Sequence, residues 1–154
     1  LRRARVIGHH PSVATRSLVL VVDDDDDTRN CVCSVLEAEG YGVASARDGR
    51  EALDLLARSA RSDLPSLMLL DLMMPVMSGW DVLEALKKSP DLASIPVVVF
   101  TAAGEPTVSD RGLERPVLRK PIDLDLLLEM IIKICAAGWS VQAPPSDLLP
   151  KAAT

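Results

Sequence analysis

Short aliphatic runs alternate along this chain with longer stretches in which apolar residues recur every three or four positions. The runs, Leu18–Val22 and residues 41–46, 67–70, 95–100 and 117–119, have strand length and read as buried strands. The periodic stretches read as helices. The first has Val32, Val35 and Leu36 on one face, a cap at Asp26 or Asp27 and a stop at Gly40. The second, residues 48–58, turns Leu53, Leu55 and Leu56 inward, and a third spans residues 80–88 after a loop punctuated by Pro75 and Gly79. The last, residues 124–136, repeats Leu127, Leu128, Ile131, Ile132 and Cys135 before Gly138. Such alternation predicts an α/β fold, a parallel sheet covered by helices on both faces. Gly104, Pro106, Gly112 and Pro116 leave room for one or two helical turns at most between the fourth and fifth strands.

At 154 residues the chain is the size of one domain with one core. Only Tyr41, Trp80, Phe100 and Trp139 are aromatic, so aliphatic side chains must build that core; Trp80 is expected at its edge and Trp139 against the last helix. Met68, Met73, Met74 and Met77 read as packing residues. Residues 1–17 carry Arg2, Arg3, Arg5 and Arg16 and no acid, which leaves 13 bases against 22 acids in the remainder. The expected organisation is a flexible basic arm over 1–17, one domain over 18–137, and a disordered tail over 138–154 with Pro144, Pro145 and Pro150. So acidic a body argues against direct nucleic-acid binding.

No run is long and apolar enough for membrane insertion, since Glu129 and Lys133 interrupt residues 126–139, and the arm lacks the apolar centre of a signal peptide. Cys31, Cys33 and Cys135 are an odd set without metal-knuckle or redox spacing, as expected of reduced thiols in a cytoplasmic protein. His9 and His10 are the only histidines, which excludes a histidine metal site or a Ser-His triad in the body.

Chemistry gathers where the strands end. In an open parallel sheet, residues just past each strand converge on one rim. Here they are Asp23 and Asp24 after the first strand, Asp71 after the third, Thr101 after the fourth, and Lys120 with Pro121 after the fifth. Crowded carboxylates call for a cation, and all-oxygen ligation suits Mg²⁺. One carboxylate then acts as a nucleophile toward a phosphoryl group while Lys120 and Thr101 attend the transferred oxygens, giving an aspartyl phosphate. Asp25, Asp26 and Asp27 read as cap and solvated first turn at the positive end of the first helix.

In this order the motifs VVDDDDDTR, RDGREAL, LMLLDLMMPVMSGWDVLEALKK, VVVFTAA and VLRKPID resemble the receiver domain of two-component response regulators, from Leu18 to about Ala137. The intervals of 47 residues from Asp24 to Asp71 and 30 from Asp71 to Thr101 fit that family, and the 19 from Thr101 to Lys120 is somewhat short. The resemblance implies a flavodoxin-like doubly wound sheet of five strands in the order 2-1-3-4-5. Asp71 would accept phosphate from a histidine kinase or phosphotransfer protein, and a downstream protein would read the result. Asp24 and Asp71 would ligate Mg²⁺ (or Mn²⁺) directly and Asp23 mainly through water, with the Met73 backbone carbonyl as a further ligand. Thr101 and Lys120 would approach the phosphoryl oxygens, and Pro121 would follow a cis bond that aims Lys120.

Two departures stand out. The family usually places a Tyr or Phe three residues before the lysine as part of its switch, and here that position is Val117. The expected consequence is that phosphorylation orders the loop at 104–116 instead of swinging a ring. Met73 and Ala103 offer no carboxamide or acid to position water, so slow loss of phosphate is expected. Two other functions compete. Asp24 to Thr28 also spells DxDxT, which resembles the nucleophile motif of haloacid-dehalogenase-like phosphohydrolases using Asp24 and Asp26, although no later acidic pair follows Lys120. A degenerate receiver that binds partners without phosphorylation is the third.

Overall fold

The computed structural model describes residues 17–102 and 115–136. Residues 1–16 of the basic arm, the tail from residue 137 with Trp139, for which disorder was expected, and nearly all of the loop between the fourth and fifth strands lie outside the described residues. Five parallel strands, β1 (Leu18–Val22), β2 (Gly42–Ala46), β3 (Leu67–Asp71), β4 (Val97–Thr101) and β5 (Val117–Arg119), form one sheet in the order β2-β1-β3-β4-β5. The strand ends differ from the sequence reading by no more than two residues.

Side chains alternate across the sheet because the strand period is two. Leu20, Val22, Met68, Leu70, Val97 and Val99 face one core, and Val19, Val21, Leu67, Leu69, Val98 and Phe100 face the other. The inner strands β1, β3 and β4 are covered on both faces, which is why they read as unbroken aliphatic runs. Helices α1 (Asp26–Ala38) and α5 (Leu124–Ala136) cover the second face, and α2 (Gly49–Arg58) and α3 (Gly79–Lys87) the first. A short α4 (Pro90–Ala93), not foreseen from the sequence, precedes β4.

Several helix details correct the expectations. Helix α1 is capped by Asp25, whose carboxylate accepts the Asp27 N–H at 3.1 Å and the Thr28 hydroxyl at 2.7 Å, so Asp26 and Asp27 lie inside the first turn and not at the cap. In α2 the buried positions are Gly49, Ala52 and Leu56, with Leu53 and Leu55 only partly covered. In α5, Leu127, Met130, Ile131 and Ile134 are buried while Ile132 is 58% exposed. Ile132 stands about 100° around the helix from Ile131, which carries it out of the buried stripe. Met68, Met74 and Met77 pack as expected, but Met73 is 53% exposed because it sits in the loop beyond β3.

The loop from β3 to α3 is tightly constrained. Ser78 and Asp81 cap α3 reciprocally, and the Gly79 N–H donates to the Leu72 carbonyl at 2.9 Å. A Cβ on Gly79 would lie 2.3 Å from the Asp71 carbonyl oxygen and 2.8 Å from the Leu72 Cα, so no side chain fits between α3 and the end of β3. Val76, 83% exposed, has φ +67° at the centre of a three-residue turn closed by the Met77 N–H on the Pro75 carbonyl at 2.7 Å.

Two stability outcomes follow. Val76→Asn, which tolerates the left-handed region without a β-branch, is expected to stabilise the domain by about 1 kcal/mol in denaturant unfolding. Gly79→Ala is expected to cost about 2–3 kcal/mol, since the new methyl meets backbone that cannot yield.

Candidate functional site at the carboxyl edge of the sheet

All five strands point the same way, so their carboxyl ends form one rim. Val22 pairs with Leu70, Asp71 with Phe100, and Thr101 with Arg119, which brings Asp23, Asp71, Thr101 and Lys120 to that rim. Lys120 is tied there by its N–H on the Thr101 carbonyl at 2.8 Å. The Lys120–Pro121 bond is cis, as expected.

Asp23, Asp71 and Thr101 are the buried polar side chains among the described residues, while Asp24 is exposed. Asp71 accepts the Met73 N–H on Oδ1 at 3.1 Å and the Lys120 ammonium on Oδ2 at 3.2 Å. The same Nζ stands 2.8 Å from Asp23 Oδ2, a contact between charges whose angles are not those of a directed hydrogen bond. Asp23 Oδ1 accepts the Asp25 N–H at 2.9 Å. The Thr101 hydroxyl is buried with no hydrogen-bond partner among the described residues.

Burial is the largest cause that raises the Asp71 pKa to about 7, and the neighbouring charge of Asp23 adds to it against the opposing pull of Lys120. Burial alone would lower the Lys120 pKa, but contact with Asp23 and the charge of Asp71 outweigh it and hold the ammonium above its ordinary value. One lysine thus serves two buried carboxylates. Asp23, Asp24 and Asp71 each offer a carboxylate oxygen within 4.8 Å of the others. An all-oxygen donor set with one solvent-facing member and an incompletely satisfied Asp23 oxygen fits a hard cation such as Mg²⁺.

The other predicted residues are distributed differently. Val117 is partly buried against the core under α2 and α3, and Trp80 lies at the edge of that same core. Of the two aspartates in the rival phosphohydrolase reading, Asp24 stays with Asp23 and Asp71, whereas Asp26 is in the exposed first turn of α1, paired with Arg29; Asp25 is the helix cap. The sequence reading missed Arg29, whose guanidinium donates to the Asp23 backbone carbonyl at 2.8 Å. It used Gly79 only as loop punctuation, although the Asp71 main chain depends on it. Cys31, Cys33 and Cys135 are free thiols, and none of the described helices is long and apolar enough to cross a membrane. A second cleft of about 340 Å³ opens at the opposite, amino edge of the sheet beside the Arg61–Asp91 ion pair, away from these carboxylates.

Comparison with known proteins agrees with this arrangement. Residues 19–132 match the response regulator receiver domain family. The chain is 40% identical over 113 residues to the response regulator MprA of Mycolicibacterium vanbaalenii, covering 71% of this chain and 46% of that protein. It is 36% identical over 133 residues to the transcriptional regulatory protein CpxR of Escherichia coli K12, covering 84% of this chain and 54% of the relative. It therefore spans about half the length of these relatives. Among solved structures, the response regulator receiver protein from Pseudomonas putida superimposes with a TM-score of 0.67 at 32% identity, covering 79% of this chain and 99% of that one. The signal receiver domain of a histidine kinase from Syntrophus aciditrophicus gives 0.69 at 28% identity over 88% and 98%. With a family match across most of its length and the sheet order to go with it, this chain belongs to the response regulator receiver domain family.

Proposed function

We propose that this receiver takes a phosphoryl group from a histidine kinase or phosphotransfer protein onto Asp71 and passes the signal on through protein contacts, in the cytoplasm. The observation that carries this reading is Lys120, delivered from β5 to stand within 3.2 Å of the Asp71 carboxylate and 2.8 Å of Asp23. An ion pair so placed at a strand rim has little structural purpose, because buried charge pairs stabilise weakly. It suits a site that handles anions.

In the transfer, an Asp71 carboxylate oxygen attacks phosphorus, and the bond from phosphorus to the donor imidazole nitrogen breaks with its electron pair left on nitrogen. Attack requires the ionised carboxylate, and the Lys120 charge opposes the burial and repulsion that favour the protonated form. As the oxygens arrive, Lys120 can move from pairing Asp71 to pairing the phosphoryl group, and the Thr101 hydroxyl, without a partner among the described residues, has a proton to donate to it. Asp23, Asp24, Asp71 and the Met73 backbone carbonyl would hold Mg²⁺ or Mn²⁺, which supplies charge neutralisation of both carboxylates and phosphoryl oxygens. Beside Lys120, a groove of about 310 Å³ opens between α1 and the start of α5, lined by Thr28, Cys31, Val32, Pro121, Ile122 and Leu124. Its mostly apolar walls next to the phosphoacceptor support docking of a protein donor there. Val117 replaces the usual aromatic, so Thr101 and Pro121 carry the switch without a swinging ring, and no side-chain amide or acid at Met73 or Ala103 positions water to remove the phosphate.

Incubation with acetyl phosphate and Mg²⁺ followed by intact-mass measurement is expected to show one phosphoryl adduct on the wild type and on Asp26→Asn, and none on Asp71→Asn. An adduct that survives Asp71→Asn, together with phosphate turnover that is lost in Asp26→Asn, would favour the phosphohydrolase reading instead. The raised Asp71 pKa has its own consequence. Its contribution to stability is full below the unfolded value of 3.8 and is lost as pH rises through about 7. In EDTA, Asp71→Asn is therefore expected to exceed the wild type in stability by roughly 2 kcal/mol at pH 8, a difference that shrinks toward pH 5 in urea unfolding.

A further inference from the structure

Five consecutive aspartates stand where β1 enters α1, and among the described residues Arg29 is the cation that α1 sends back into them. Its side chain is only 14% exposed. One guanidinium nitrogen donates to the Asp23 main-chain carbonyl at 2.8 Å, and the other nitrogen bonds the Asp26 carboxylate. A planar fork can hold two acceptors in a fixed relation, which an ammonium cannot. The result is a stitch from the second turn of α1 to the residue whose carboxylate enters the rim.

The main chain of Asp23 is otherwise fixed on its amide side, where its N–H meets the Ala46 carbonyl at 3.2 Å, and its side chain by the Asp25 N–H. Its carbonyl begins the peptide that carries Asp24. The direction of that peptide sets how close the Asp24 carboxylate comes to Asp23 and Asp71, against their mutual repulsion.

From this geometry we infer that Arg29 is a positioning residue for divalent-cation binding. It touches none of the three carboxylates that would bind the cation, and acts by holding the Asp23–Asp24 backbone so that they converge. The inference rests on the metal-binding reading proposed above. It also makes a prediction opposite in sign to simple electrostatics. Arg29 is a positive charge near a cation site, so if charge alone mattered its removal would tighten cation binding. If it positions the loop, removal weakens binding, as loss of a group that orients metal ligands does.

The test is a Mn²⁺ titration followed by the electron paramagnetic resonance signal of the free ion, with circular dichroism and thermal unfolding reporting that each variant is folded. Arg29→Met, which keeps the length and apolar stem, is expected to bind Mn²⁺ about tenfold more weakly than the wild type. Arg29→Lys keeps the charge but loses the fork and is expected to fall between the two. Equal or tighter binding by folded Arg29→Met overturns the inference. Should Arg29→Met fail to fold, Arg29→Lys decides, and wild-type affinity in it is the overturning result. A wild-type chain that leaves the free-Mn²⁺ signal unchanged overturns the metal-binding reading itself, and the inference with it.

Discussion

The arrangement of this domain turns on repulsion between carboxylates that the fold forces together. Asp23 and Asp71 end neighbouring strands, both are buried, and a single ammonium from Lys120 stands against the two of them. Neither aspartate can retreat, because each is anchored by backbone: Asp23 through the Asp25 N–H and Asp71 through the Met73 N–H. Burial makes the charges costly and their proximity makes them more so. A site held in that condition gains from any cation or from neutralisation of one carboxylate, and this is the physical basis for reading it as phosphoryl-accepting.

Holding the rim in place is the work of features remote from the charges. Gly79 lets the amino end of α3 come up against the carbonyl of Asp71 itself, and the reciprocal Ser78–Asp81 cap fixes where that helix starts. On the far side, Asp25 caps α1 and frees Asp23 and Asp24 from that duty, while Arg29 ties the loop to the helix. The five aspartates thus divide into rim residues, a cap, and first-turn residues, although they are chemically identical. Their different roles come from where the strand stops and the helix begins.

Much of this was legible in the sequence. Continuous aliphatic runs fix which strands are covered on both faces, and the position of each strand end puts Asp23, Asp71, Thr101 and Lys120 on a common rim, because parallel strands share one direction. What it misjudged were choices between near-equivalent neighbours. Asp25, Asp26 and Asp27 all cap helices equally well in principle, and Ile131 and Ile132 are equally apolar. Only the phase at which a helix meets the sheet selects among them.

By itself, then, the sequence determined the strand rhythm and the residues that carry charge to the rim, since these depend on local periodicity and on side-chain chemistry, and the order of its motifs carried the resemblance to the family. The tertiary structure decided that one lysine serves two carboxylates, that Gly79 has no space for a methyl group, and that Arg29 reaches back to the Asp23 carbonyl. Those facts depend on distances set by how helices seat on the sheet, and no local pattern encodes them.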